Sequence, residues 1–155
     1  MSDPSPPVLQ VLVLAHGQGL PLPAYETAGA AGMDLRAALP EDQPLVLASL
    51  DRALVPTGLC IAVPPGFEAQ VRARSGNALK LGLGLVNAPG TIDSDYRGEL
   101  QVILANFGRD PVTVTRGMRI AQLVISPVVQ ARLERVTTLD QTPRGTGGFG
   151  STGRE

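Results

Sequence analysis

FEAQVRARS, residues 67–75, is the stretch that decides the fold class. Apolar and polar residues alternate along it, so that Ala69 and Val71 share one face and charged or amide side chains share the other. Alternation with a period of two predicts a strand with one buried face. The same pattern in VVQARLER (128–135), and briefly in PVTVT (111–115), predicts two further strands.

Four other runs are apolar with little alternation, which is expected of strands covered on both faces. They are LQVLVLA (9–15), LCIAV (59–63), LQVILANF (100–107) and IAQLVI (120–125). The 18 glycines and 14 prolines fall mostly between such runs and divide the chain into about ten short strands. SGNALKLG (75–82) is the best candidate for a short helix, with Ser75 as its N-cap. An all-β sandwich or barrel with one short helix is therefore predicted.

Composition limits the function classes. A chain of 155 residues with 43% hydrophobic content suits one domain, and a net charge of −1 argues against nucleic acid as the main partner. One cysteine, Cys60, and one histidine, His16, exclude an internal disulfide and a zinc site made from these residue types. No apolar run is long enough for a membrane span and MSDPSPP does not resemble a secretory signal, so a cytoplasmic protein is expected. The polar, glycine-rich end suggests a domain over 1–140 and a flexible tail over 141–155.

Five segments combine glycine with acidic, basic or hydroxyl residues between the predicted strands. They are AGMDLRA (31–37), RSGNALK (74–80), NAPGTIDSDYRGEL (87–100), RGMRIAQLV (116–124) and RGTGGFGSTG (144–153). Taken singly, each has an ordinary explanation, such as a turn, a helix cap or a linker. The last segment is also not a P-loop, because it contains no lysine and no helix follows it.

In this order and spacing the five segments resemble the five motifs of the trimeric dUTP diphosphatase family, over about residues 8–153. The resemblance implies an all-β, distorted jelly-roll or β-clip subunit and a homotrimer with shared active sites. It also implies Mg²⁺-assisted hydrolysis of dUTP to dUMP and pyrophosphate, which limits uracil in DNA and supplies dUMP for thymidylate synthesis. Neither nucleic acid nor membrane is an expected partner.

The third segment carries the chemistry that the resemblance implies. Asp93 would orient and deprotonate the attacking water, which a carboxylate within one hydrogen bond can do. Tyr96 would lie against the deoxyribose and leave no room for a 2′-hydroxyl. Asn87 offers a donor and an acceptor for the edge of uracil. The hairpin backbone, including Thr91 and Ile92, would supply the remaining contacts to the base.

Phosphate and metal contacts are assigned by the same resemblance. The residues matching its phosphate-binding positions are Arg74, Ser75, Gly76 and Gln122. Asp34 matches a carboxylate that holds Mg²⁺ through bound waters, and Mg²⁺ commonly keeps several waters. The chain departs from the family pattern at Met118, where Asp is common, and at Asn77, where Leu is common. The first departure puts a carboxylate role there in doubt, and the second is expected to alter only the helix.

The C-terminal segment is interpreted as a lid over the nucleotide. Arg144 would clamp the γ-phosphate, while Ser151 and Thr152 would hydrogen-bond to it. Phe149 would stack on uracil, and glycines such as Gly150 would provide backbone freedom and open N–H groups. In the family this tail reaches the site of another subunit.

Two alternatives remain open at this stage. A dCTP deaminase, or a bifunctional relative, would share the fold but would call for a Glu that moves protons at the base. A non-catalytic jelly-roll interaction module would bind dUTP without turnover. The DSDY turn and the Gly-Phe-Gly tail favour the diphosphatase.

Overall fold

The structure, a computed structural model, describes residues 5–148. This part of the chain contains ten strands, one α-helix and one turn of 3₁₀-helix at Ala15–Gly17. The helix α1 is Ser75–Leu81. The strands are β1 Gln10–Val13, β2 Met33–Arg36, β3 Leu45–Leu47, β4 Arg52–Ala62, β5 Phe67–Arg72, β6 Leu83–Leu85, β7 Gly90–Ile92, β8 Glu99–Asn106, β9 Val112–Val114 and β10 Arg119–Pro127. No helix within residues 5–148 is long and apolar enough to cross a membrane.

Two four-stranded antiparallel sheets enclose one apolar core. The first has the order β1-β4-β8-β6 and the second β2-β10-β5-β7, while β3 and β9 form a separate ribbon. Both sheets contribute fully buried side chains, among them Val55, Leu100 and Leu104 from the first and Leu35 and Leu123 from the second. Two packed sheets of four strands are the architecture of a jelly roll, so the all-β prediction is confirmed.

Strand β5 follows the alternation that predicted it. Ala69 and Val71 are buried, whereas Arg72 is exposed. β5 lies between β10 and β7, with Val71 opposite Leu123 on one side and Gly90 on the other. The strand ends at Arg72 instead of continuing to residue 75, because the chain turns there into α1.

The helix α1 is confirmed, but Ser75 is not its N-cap. Arg74 occupies that position in an extended conformation, without a side-chain capping bond, and Ser75 is the first helical residue. Gly82 ends the helix with φ +68°, a left-handed conformation that glycine adopts readily. The buried Asn77 ties the helix to β10, because its Nδ2 donates to the carbonyl oxygen of Arg119 at 2.8 Å.

Two burial predictions are wrong. Residues 128–135 form no strand, and their side chains are exposed, with Val129 at 93% and Leu133 at 94%. Alternation creates a strand only where a neighbouring strand accepts its hydrogen bonds, and β10 ends at Pro127. The β1 run is also not covered on both faces, since Leu12 is 63% exposed on an edge strand whose one neighbour is β4.

A bulge in β4 brings the 3₁₀ turn against the first sheet. The β4–β8 register shifts between Pro56 and Cys60, and Gly58 within this bulge has φ +71°. The backbones of Gly17 and Gly58 approach so closely that a Cβ added to Gly17 would lie 2.6 Å from the carbonyl oxygen of Gly58. This contact places His16 beside the beginning of β8.

Candidate active site

Residues 86–98, between β6 and β8, form one wall of a small cavity. The sequence predicted a hairpin here, but β7 pairs with β5 and lies in a different sheet from β6 and β8, so this segment is a loop with one short strand. β7 pairs with β5 through Thr91 and Gln70, and the chain then turns, with the N–H of Tyr96 donating to the carbonyl oxygen of Asp93 at 3.2 Å. The cavity has a volume of about 260 Å³. Four of the predicted site residues line it together with Asp93, and the full lining is Leu54, Asn87, Thr91, Ile92, Asp93, Tyr96, Glu99, Gln101 and Ile103.

Asp93 stands where this cavity adjoins a larger one. The second cavity, of about 760 Å³, is also lined by Thr91, Asp93 and Asp95. Asp93 is exposed, and no group within residues 5–148 hydrogen-bonds to its carboxylate. Its oxygens are therefore available to accept a hydrogen bond from a water molecule or a ligand in either cavity.

The Tyr96 ring is held by its own turn. Its hydroxyl donates to the carbonyl oxygen of Glu99 at 3.0 Å. The ring covers Gly98 so closely that a Cβ added there would overlap the phenol oxygen. Glycine at position 98 thus leaves room for the Tyr96 phenol, and Tyr96 lines the small cavity.

Glu99 is a cavity residue that the sequence reasoning missed. Its Oε1 accepts the backbone N–H of Gly58 at 2.7 Å and lies 2.7 Å from Nε2 of His16. A carboxylate can only accept, so the imidazole nitrogen donates. The sequence feature that could have identified Glu99 is its position, since it is a carboxylate at the start of an apolar strand, directly after the DSDYRG segment.

A second group of predicted residues gathers at the other end of the same sheet. The Asp34 carboxylate, which is largely buried, accepts from Nε of Arg74 at 2.7 Å and from an Nη of Arg119 at 3.1 Å. Gln122 lies opposite Asp34 on one side and Arg72 on the other. One carboxylate facing two guanidinium groups leaves an excess of positive charge, which suits phosphate oxygens.

Arg119 is the second residue that sequence reasoning missed, although it lies within the fourth segment. The two residues that depart from the family pattern both lie next to Arg119: Met118 precedes it in the chain, and Asn77 bonds to its backbone. Met118 packs against the core and offers no charge, while Asn77 holds the Arg119 carbonyl. Asn77 therefore does more than alter the helix, which corrects the expectation for that position.

Ser75 and Gly76 follow Arg74 directly and are exposed at the beginning of α1. A Cβ added to Gly76 would meet no atom within 4 Å, so the space around its backbone is open. These two residues are thus accessible beside the guanidinium of Arg74, where the sequence prediction puts the phosphates.

The residues of segment 86–98 and the Asp34 group, which consists of Asp34, Arg74, Arg119 and Gln122, are not joined into one cavity. Neither cavity at segment 86–98 is lined by Asp34, Arg74 or Gln122. Arg144 reaches neither group, since its Nε donates to the carbonyl oxygen of Gly147 within its own turn. The remaining predicted lid residues, Phe149, Gly150, Ser151 and Thr152, lie outside the described residues.

The donor set around Asp34 decides how a metal could be held. Within residues 5–148, no group of three or more His, Cys, Asp or Glu side chains comes together. Both Asp34 oxygens already accept hydrogen bonds from arginine. A carboxylate oxygen has two acceptor positions. Oδ2 accepts from both Arg74 and Arg119, whereas Oδ1 accepts one such bond, so Oδ1 is the oxygen that can still accept from a metal-bound water. The residues therefore fit an indirectly held Mg²⁺ rather than a directly ligated one.

Comparison with known proteins gives a consistent result along nearly the whole chain. The dUTPase family model matches residues 18–153. The deoxyuridine 5′-triphosphate nucleotidohydrolase of Rhizobium etli is 58% identical over 149 residues, covering 96% of each chain. That of Beijerinckia indica is also 58% identical, over 153 residues, covering 99% of this chain and 96% of the relative.

Solved structures with a similar fold are also dUTPases. A mutant of the phage 80alpha dUTPase superimposes with a TM-score of 0.82 at 26% identity, covering 93% of this chain and 98% of the phage chain. Another mutant of that enzyme, solved with dUpNHpp, gives 0.80 at 25% identity, covering 94% and 98%. The matched sheets, the five segments in order and the 58% identity to Rhizobium etli lead to one conclusion: this chain belongs to the dUTPase family.

Proposed function

We propose that this chain, a hydrolase of the dUTP diphosphatase class, converts dUTP to dUMP and pyrophosphate. The observation that carries the proposal is the small cavity that Asp93, with its available carboxylate, lines together with Asn87 and Tyr96. The relatives named for this activity support it, as does the structure of the phage enzyme solved with dUpNHpp.

Asp93 is the general base of the proposed reaction. It accepts a proton from a water molecule whose oxygen attacks the α-phosphorus in line with the bond to the β-phosphate. The new bond joins water oxygen to the α-phosphorus, the α–β phosphoanhydride bond breaks, and pyrophosphate leaves. A positioned carboxylate contributes typically 10²–10⁴-fold to such a step.

Recognition of the base and the sugar falls to other residues of segment 86–98. The Asn87 amide pairs with the polar edge of uracil, and backbone groups of Thr91 and Ile92 complete the contacts. A mismatched base leaves buried polar groups unpaired, at about 1–3 kcal/mol each. The Tyr96 ring stands against the deoxyribose and obstructs a 2′-hydroxyl.

The triphosphate is bound by the group at the other end of the sheet. The guanidinium of Arg74 is oriented by Asp34, and Ser75, Gly76 and Gln122 lie on the adjacent segments. Mg²⁺ would be held mainly by phosphate oxygens and waters, with Asp34 accepting from those waters. When bound, the ion neutralises charge on the phosphates.

The separation of the two groups favours an active site shared between subunits. We propose a homotrimer in which segment 86–98 of one chain faces the Asp34 group of another, with the segment after residue 140 as a lid. The exposed apolar side chains of residues 128–139 support an intersubunit contact. Action in the cytoplasm is part of the proposal, and the free thiol of Cys60 is compatible with a reducing compartment. Hydrolysis there would limit uracil in DNA and supply dUMP for thymidylate synthesis.

The decisive experiment identifies products. The protein is incubated with dUTP, dCTP, dTTP and UTP separately, each with Mg²⁺, and the products are separated by chromatography. Release of dUMP and pyrophosphate from dUTP alone is expected. Conversion of dCTP to a uracil nucleotide would assign Glu99, a carboxylate in the same cavity, to deamination instead. Binding of dUTP without any product would leave an interaction module.

A further inference from the structure

We infer that Glu99 and His16 together are positioning residues for Tyr96, and that the preference for a deoxyribose over a ribose depends on their contact. This inference rests on the proposed function. The contact joins the 3₁₀ turn at Ala15–Gly17 to the beginning of β8, two segments 83 residues apart in the chain. Neither residue lies in the turn that carries Asp93 and Tyr96.

The β4 bulge explains why the Glu99 side chain matters. Pairing between β4 and β8 is interrupted between Pro56 and Cys60, so the backbone N–H of Gly58 has no regular partner on β8. The Glu99 carboxylate accepts this N–H at 2.7 Å and so replaces a missing ladder bond. The same oxygen accepts from His16, and the Glu99 side chain is only 17% exposed. The first residue of β8 is therefore held by its side chain as well as by its pairing with Cys60.

Tyr96 takes its position from this residue. Its hydroxyl donates to the backbone carbonyl of Glu99, while Gly98 lies beneath the ring. The ring is 43% exposed, so few other contacts restrain it. If the beginning of β8 shifts, the acceptor of the Tyr96 hydroxyl shifts with it, and the ring no longer obstructs a 2′-hydroxyl.

The effect separates sugar selectivity from turnover. Asp93 lies at the other end of the turn, and its side chain makes no hydrogen bond to Glu99 or His16 within the described residues. Loosening the ring therefore raises kcat/KM for UTP relative to dUTP. A purely structural role would instead lower both values in proportion to the folded fraction.

The test compares kcat/KM for dUTP and UTP in the full-length protein, with thermal unfolding measured alongside. We expect Glu99→Ala to lower the ratio of kcat/KM for dUTP to kcat/KM for UTP about tenfold. A simple apolar wall rejects an added hydroxyl roughly 10²-fold, so the variant loses a part of that selectivity. His16→Ala lowers the ratio less, since the bond from Gly58 remains. Glu99→Gln keeps an acceptor oxygen and restores most of the ratio.

Two further variants test whether displacement of the Tyr96 ring, and not a loss of stability, lowers the ratio. Gly98→Ala displaces the ring directly and must also lower the ratio. Thr57→Val is the matched control, because Thr57 donates to the carbonyl oxygen of Leu100 at 2.6 Å in the same bulge and makes no hydrogen bond to the side chain of Glu99 or Tyr96 within the described residues. It should reduce thermal stability and leave the ratio unchanged.

Unchanged ratios in folded Glu99→Ala and His16→Ala would overturn the inference, as would an equal loss in Thr57→Val. If Glu99→Ala does not fold, His16→Ala decides, since its side chain is 43% exposed and its removal leaves the core intact. A wild-type protein that releases no dUMP would overturn the proposed function as well. An active wild type with unchanged variant ratios overturns the inference alone.

Discussion

Asp93 and Asp95 show how much depends on the position of a single residue. Both are acids in one short turn, and both line the larger cavity. Only Asp93 also lines the small cavity with Asn87 and Tyr96, because it directly follows β7. The pairing of β7 with β5 therefore decides which of the two carboxylates faces the candidate substrate site.

Replacing Asp93 tests the general base. We expect Asp93→Asn to bind dUTP with near-normal affinity and to hydrolyse it about 10²–10⁴-fold more slowly, because the amide cannot take the proton. Single-turnover kinetics and equilibrium titration with dUTP measure the two effects. Asp95→Asn is the matched control, with activity close to the wild type. Near-normal turnover by Asp93→Asn would remove Asp93 from this role.

The helix α1 depends on a tertiary contact to stay in place. It has seven residues and no side-chain cap, so it is too short to be stable alone. The Asn77 side chain attaches the helix to β10 by bonding to the backbone of Arg119, and the guanidinium of Arg119 contacts Asp34. The helix, β10 and the Asp34 group are thereby linked.

Asn77→Ala should lower the free energy of unfolding by about 1–3 kcal/mol, because the Arg119 carbonyl loses its buried partner. Alanine has the higher intrinsic helix preference, so a loss must come from the missing bond. Leu79→Ala is the control on the same helix, since Leu79 is 87% exposed, and it should change stability by no more than about 0.5 kcal/mol. Urea denaturation compares them. Equal stability of both variants would contradict this account.

The segment from residue 141 is a second element whose role can be tested separately. Its described part makes hydrogen bonds only within its own turns, such as the N–H of Gly145 to the carbonyl oxygen of Thr142. We expect deletion of residues 141–155 to abolish most dUTP hydrolysis while far-UV circular dichroism and the unfolding temperature stay unchanged. Full activity of the truncated protein would argue against a lid.

At the scale of the whole molecule, the proposed site needs more than one chain. Asp93→Asn and Arg74→Ala should each be nearly inactive as pure proteins. Subunits mixed by co-refolding should recover activity in up to about one site in four, because each contributing chain is intact at the required position half the time. Light scattering should give three times the 16.1 kDa subunit mass. No recovery in mixed trimers would place each site within a single chain.

The sequence predicted local features well where the local pattern and the final environment agree. Ala69 and Val71 alternate with polar neighbours and are buried, and β5 forms as predicted. Val129 and Leu133 carry the same pattern and are exposed, because no strand of the described chain lies beside them. Alternation indicates which face of a strand would be buried, but the strand forms only where a neighbouring strand can pair with it.

The all-β class, the short helix and five segments specific enough to indicate the family could all be predicted from the sequence. This was possible because hydrophobic period, turn residues and motif order are properties of neighbouring residues along the chain. That Asp34 lies between Arg74 and Arg119 and that Glu99 bonds to His16 follows from the folded structure and could not be predicted from the sequence. These contacts join residues 40 to 85 positions apart, and only strand pairing and the β4 bulge bring them together.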